Sequence, residues 1–344
     1  MNRPPTLSPR RLNRALLARQ LLLERSNMSV EDAIDAIGGM QTQYAPSGYV
    51  GLWTRLAHFE RDALTRTLED RSVVQATLLR TTIHMVTSRA FWLYAIGIRD
   101  SRRRWAIRVA QPTGDRATME ALAGRVREAL AAGPRHIKEL GPDGAGFLGN
   151  LAVWVDLVRV PPSGTWDRRR ADILAVAEDW IGPTDVTESD GLAHLVLSYL
   201  RAFGPAPWRD IAGWAGISVA DARRGGENLT LVHFLDVDGR PLIDLPDAAL
   251  PDEDVAAPVR FLAHWDAVLL VHAGRTGILP ESHRTRIFNS KNPFSVGTIL
   301  VDGHVAGTWW SKGARIEVDI LEPVRRATLD EIEAERIALE AFYA

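Results

Sequence analysis

The stretch LAHLVLSYLRAFGPAPWRDIAGWAGISVADARRGGENLTLVHFLDVDGRPLIDL, residues 192–245, limits the possible folds more than any other. Its first twelve positions carry apolar side chains at helical spacing, and Gly204-Pro205 stops them. WRDIAGWAG then reads as a short helix ending at Gly216. Ser218 reads as the N-cap of a third, VADARRGGENL. Ala212, Gly216 and Ser218 stand where a helix-turn-helix needs a small residue, a turn glycine and a cap. Two alternating runs, TLVHFLDV and RPLIDL, meet at Asp238-Gly239, a dipeptide suited to hairpin turns. Three helices and a hairpin make a winged helix, a unit that reads DNA in some proteins and is plain scaffold in others.

The pattern recurs. RRLNRALLARQLLLE, residues 10–24, is amphipathic, and SVEDAIDAIGG is a short helix capped by Ser29 and ended by glycines. A third helix near 60–69 precedes SVVQATLLR and TTIHMVT, which read as wing strands. In the middle, 116–131 is helical, GPRHIKELG and 145–157 read as further helices, and VRVPPSGTW as another wing. Units repeating at about 100 residues imply a tandem array. The boundaries expected are 1–112, 113–190 and 191–250 for three winged helices. A β-rich part follows over 251–344, with a hairpin at Asp302-Gly303 and a closing helix at 328–342. The fold class expected is α+β, mainly α.

Charge points to a polyanionic partner. Residues 1–110 hold 17 Lys and Arg against 9 Asp and Glu, and the remainder holds 24 against 34. Residues 260–315 are basic again, with seven cationic against three acidic side chains. Phosphate contacts supply most of the affinity for nucleic acid, and 38 of the 41 cations are arginines, whose planar fork suits phosphate. With no cysteine, disulfides, thiolate catalysis and thiolate zinc sites are excluded. The nine histidines show no metal-binding spacing, and neither a P-loop nor a dinucleotide fingerprint is present, so no metal or cofactor is expected. No run of eighteen apolar residues suggests a membrane span. The basic start MNRPPTLSPRRLNRALL has no apolar region of a leader, and reads as that of a cytoplasmic, nucleoid-associated protein.

Two of the five glutamines, Gln41 and Gln43, stand one residue apart in IGGMQTQYAPSGYVGLW, just past Gly38-Gly39. By composition they read as a polar helix end. If the glycines break the helix and the chain runs extended, residues i and i+2 share a face and both amides can converge. In a helix they lie about 200° apart.

Taken in order, LNRALLARQLLLER, GGMQTQ, LLRTTIHMV, YLRAFGPAPWRDIAGWAGIS, FLAHWDAVLLVHAGRTGILP and ILVDGHVAGTW resemble the AlkZ-like bacterial DNA glycosylases, from about residue 10 to 340. The resemblance implies three winged helices bent into a C around duplex DNA. It also implies excision of bulky N7-alkylguanine, including cross-links made by antibiotics. The family's Gln-x-Gln catalytic motif falls on Gln41 and Gln43. The middle position, commonly apolar, is Thr42 here, a departure that bears on lesion choice. An amide has no useful pKa, but it can hold a water near an anomeric carbon. That suffices for a cationic base that leaves neutral, and it predicts no excision of normal guanine. A lyase step needs an amine nucleophile, and lysines are few.

Arg80, Thr82 and His84 are expected to line the same cleft. The basic segment ESHRTRIFNSKNPFSV, with Arg284, Arg286, Asn289, Lys291 and Asn292, is expected to enter a groove. Trp309 and Trp310 face opposite sides of a strand, one core and one surface; Trp309 and Lys312 are assigned to DNA. The expectation is a monomeric, monofunctional glycosylase. The alternatives are a winged-helix transcriptional regulator or a non-catalytic DNA-binding protein. A regulator normally needs a dimer, for which no helix stands out.

Overall fold

Ser8 opens the first helix: its hydroxyl accepts from the Arg11 N–H, and α1 runs Pro9–Arg19. The computed structural model describes residues 3–110, 115–140, 154–271, 277–288 and 296–344. Ser29 caps α2 (Val30–Ala36), accepting from the Asp32 N–H at 3.1 Å. The chain leaves α2 through Gly38 and Gly39, with φ of 78° and 79°, a region open to glycine at little cost. It enters β1 (Met40–Gln41) directly. Then come α3 (Pro46–Trp53), α4 (Arg61–Glu69), β2 (Val73–Thr77), β3 (Ile83–Thr87) and the long α5 (Ser88–Ala110).

The middle segment holds α6 (Arg116–Leu130), β4 (Arg135–His136), β5 (Leu157–Arg159), β6 (Ile173–Val176) and α7 (Ala177–Ile181). GPRHIKELG is not a helix. Its arginine and histidine pair with Leu174 and Ile173 of β6, and one 3-10 turn follows. Most of the helix expected over 145–157 lies outside the described residues. The strands of the first and middle segments form a single six-stranded sheet in the order β1-β3-β2-β5-β6-β4. The join is β2 on β5, Gln75 opposite Arg159 and Ala76 opposite Val158.

In the third segment α8 (Glu188–Phe203) begins with a capping box of Thr187 and Asp190. α9 (Trp208–Ala215) ends at Gly216 with φ 73°. Ser218 caps α10 (Val219–Gly226), and β7 (Val232–Leu235) and β8 (Pro241–Asp244) form the wing. The C-terminal part is a four-stranded antiparallel sheet of β9 (Arg260–Leu262), β10 (Gly297–Val301), β11 (His304–Lys312) and β12 (Arg315–Ile320). It is closed by α11 (Arg326–Tyr343).

A shared core binds these parts. Val74, Phe91, Val158, Leu195, Phe203, Trp214, Leu262 and Leu300 are buried in one cluster that draws on every segment. α5 crosses α8 where Gly97 meets Gly191, so closely that a Cβ on Gly97 would lie 2.6 Å from the Gly191 carbonyl oxygen. Two buried ion pairs tie the ends of the chain together. Arg19 meets Asp244 at 2.7 Å and Arg55 meets Asp266 at 2.9 Å. Among the described residues no helix is long and apolar enough to cross a membrane.

Candidate active site

Gln41 pairs with His84, and Met40 with Met85, across β1 and β3. Directly opposed residues share a face. Met40 and Met85 enter the core beneath α2, α3 and α4, so Gln41 and His84 face the other way. The Thr42 N–H donates to the Ile83 carbonyl at 2.8 Å, so the pairing extends one residue past β1. The pairing sends Thr42 inward, and the chain then bends at Gln43, whose side-chain oxygen returns to the same turn. Thr42 is 1% exposed, lies against Gly48, and its hydroxyl has no hydrogen-bond partner among the described residues. It points into the core.

Both glutamine oxygens are held by the turn between β2 and β3. The Arg80 guanidinium donates to Gln41 Oε1 at 3.2 Å, and the Ile83 N–H donates to Gln43 Oε1 at 3.0 Å. These obligate donors fix which end of each amide is oxygen. Each oxygen keeps a second lone pair. Among the described residues neither amide nitrogen has an acceptor. Gln41 is buried and Gln43 exposed, so the pair spans the edge of the protein interior. The other described glutamines are structural: Gln20 donates to the Ile37 and Ala202 carbonyls, and Gln75 to the Gly164 carbonyl.

Arg80 reaches across to the helix-turn-helix of the third segment, donating to the Trp214 carbonyl at 2.6 Å. Arg80 and Thr81 sit at φ 51° and 63°, and the Thr82 N–H closes the turn on the Leu79 carbonyl at 3.1 Å. This is the left-handed geometry that hairpin turns usually give to Asn-Gly. A β-branched residue there is an outlier. The Thr82 hydroxyl donates to the same carbonyl at 3.0 Å, so it holds the turn. His84 is buried, and burial followed by the Arg80 charge pushes its pKa down to about 3. Its Nδ1 lies 3.0 Å from the Thr82 carbonyl, which can only accept, so the neutral ring carries its proton there.

Beyond Gln43 stands a polar aromatic corner that the sequence reading missed. The Tyr44 hydroxyl accepts from Arg169 at 2.9 Å, and the Tyr44 ring meets His264 edge-on at 5.8 Å. Burial lowers the His264 pKa. His264 also lines a small cavity with Gln41 and Ser47. The block FLAHWDAVLL carried the signal: Trp265 has φ 64°, a strained position next to a cleft residue.

The remaining sequence candidates lie on the C-terminal part. Trp309 is a correction. It is 1% exposed, its indole N–H donates to the Leu262 carbonyl, and it packs on Phe261 and His264, so it cannot meet DNA. Trp310 is the surface member of the pair. Arg284, Arg286 and Lys312 are exposed and paired with Glu281, Asp319 and Glu317. Asn289, Lys291 and Asn292 lie outside the described residues.

The helix-turn-helix and wing of the third segment stand beside the two anchored amides, an arrangement of a kind found in DNA-acting proteins. The chain belongs to the AlkZ-like DNA glycosylase family, which matches residues 34–342, and it is a DNA glycosylase acting in DNA repair. Its structure is similar to that of Streptomyces sahachiroi DNA glycosylase AlkZ, with a TM-score of 0.81 at 18% identity over 98% of this chain and 97% of that one. Comparison with curated protein sequences finds no match.

Proposed function

We propose that this chain is a monofunctional glycosylase that removes N7-alkylated guanine from duplex DNA, with Gln41 and Gln43 holding the attacking water. The observation that supports the reading is that the two amides have their oxygens tethered to one and the same turn between β2 and β3. A tethered amide cannot swing, so its free lone pair and its N–H groups present fixed directions to a water. Holding a reactant in place lowers the barrier without any acid or base. Neither glutamine titrates, and His84 is neutral above about pH 3. The chemistry must therefore come from the lesion. An N7-alkylguanine is already cationic. As the C1′–N9 bond breaks, its electron pair neutralises the ring, and positive charge passes to the sugar. Water adds to C1′ and loses its proton to solvent. A neutral His84 suits this step, because a protonated imidazole would add to the Arg80 charge against the developing oxocarbenium.

The chain is expected to act as a monomer on the duplex. Its natural lesions are expected to be bulky, antibiotic-derived adducts met in the cytoplasm at the nucleoid. The test is single-turnover release of N7-methylguanine from methylated duplex DNA, wild type beside Gln43→Ala. The expected outcome is release by the wild type and a loss of about a hundredfold or more in the variant, the scale of losing one preorganised group. Equal release by both would remove Gln43 from the chemistry. If neither releases it, bulky intercalator-guanine adducts are the next substrate. Failure there too would overturn the lesion assignment.

A further inference from the structure

A second polar surface opens on the far side of Arg80. Arg80 and Thr81, the last turns of α5 and the Gly216–Ser218 turn line an open groove of about 820 Å³. α5 contributes Arg102, Arg104, Trp105 and Arg108. Arg104 and Arg108 are the exposed cations here, able to attract phosphate, while Arg102 is buried on the Thr77 and Leu78 carbonyls and Arg80 is engaged by Trp214 and Gln41. One carboxylate, Asp221, lies at the rim, where it is engaged by Ser101, Ser218, Arg104 and Arg224. Arg108 has no ion pair among the described residues.

Trp105 distinguishes this groove from an ordinary basic face. The residue is 39% exposed. Five other tryptophans are each covered by an arginine, Trp53 by Arg25, Trp154 by Arg103, Trp166 by Arg61, Trp180 by Arg71 and Trp208 by Arg223, whereas the exposed Trp310, on the C-terminal sheet, is not. Among the described residues no ring or guanidinium covers Trp105, although four arginines lie within four positions of it on the same helix. An uncovered indole among phosphate-binding cations is the pattern that binds a single nucleic-acid strand, bases stacking while cations follow the backbone. A duplex would leave the indole idle, because its bases stack on one another.

The geometry points to this groove as a binding site for an unpaired stretch of DNA, one base stacked on Trp105 and the flanking phosphates on Arg104 and Arg108. Arg80 joins the two sites. Through Gln41 it touches the candidate water-holding pair, and through its own backbone it forms the groove wall. That the strand is the one carrying the lesion rests on the reading above, since pairing is weakest beside a bulky adduct. The groove itself does not depend on that reading.

The experiment measures binding of fluorescein-labelled oligothymidine, and of an abasic oligomer of equal length, to the full chain. Wild type is compared with Trp105→Ala, Trp105→Phe, Arg108→Ala and Gln43→Ala, each checked by circular dichroism for folding. Trp105→Ala is expected to weaken oligothymidine binding about 5- to 150-fold, the effect of one lost stacking platform. Trp105→Phe should restore most of it, and the abasic oligomer should bind both proteins alike. Arg108→Ala should reduce the slope of log affinity against log salt by about 0.7. Gln43→Ala should bind as wild type. Unmeasurable binding by the wild type, or equal affinity of Trp105→Ala, overturns the proposal. If oligothymidine binding depends on Trp105 but no lesion is excised, the glycosylase mechanism fails and the groove stands. Excision with indifference to Trp105 is the reverse case.

Discussion

Arg80 is held in a conformation that its own backbone disfavours, by roughly 1–3 kcal/mol on general grounds. What holds it is its fork of donors, one branch on Trp214 and one on Gln41. Arg80→Ala should therefore slow excision about tenfold or more by freeing the Gln41 amide. Arg80→Lys should not rescue it, because an ammonium lacks the planar fork that spans two acceptors. Single-turnover rates on one lesion would show this, with folding checked separately. Thr42 gives the opposite expectation. Its buried hydroxyl lacks a partner, a defect worth about 1–3 kcal/mol. Thr42→Val keeps the shape and removes the orphan. It should raise stability by about 1 kcal/mol in urea denaturation, with excision unchanged.

Helices α5 and α8 meet at two glycines, and this crossing fixes how the third segment sits against the Arg80 turn. A methyl group at Gly97 would run into backbone that cannot yield. Gly97→Ala should cost about 1–3 kcal/mol by overpacking. It should also lower excision, because Trp214 would shift from Arg80. Denaturant midpoints and excision rates measured together would test both. The third segment was legible in sequence because its signals are local: Gly216 at a left-handed helix end, Ser218 as a cap, Asp238-Gly239 at a hairpin. The break after α2 was announced by Gly38-Gly39, but whether the glutamines then ran extended or helical was left open, and β1 takes in only Gln41. Arg135 and His136 were misread because strand pairing with β6 overrides their local preference. The hairpin at Arg80-Thr81 carries no glycine to announce its turn. The aromatic corner of Tyr44, Arg169 and His264 joins three distant stretches, which no spacing rule connects. Trp309 and Trp310 were known to face opposite ways, but only packing decides which is inside.

Across the whole molecule, burial is shared, and so is its sensitivity to acid. Burial holds His84 at a pKa of about 3 and His194 at about 4, against an ordinary 6.5. The sign follows from proton counts. Between those values and 6.5 the unfolded chain takes up protons that the folded chain refuses, so stability falls as pH drops. Each histidine contributes up to about 1.4 kcal/mol per pH unit in that window, and nothing above about pH 7. Urea midpoints at pH 7.5, 6 and 5 should decline in that order, and less steeply in His194→Gln. The link from Arg80 to Trp214 has a further consequence, in the time it takes to make the protein. Translation delivers the glutamines early, but the carbonyl that steadies their arginine arrives more than 170 residues later. At about 5–20 residues per second, that is on the order of ten seconds or more. A chain halted before the third segment carries the whole motif without the carbonyl on which Arg80 rests.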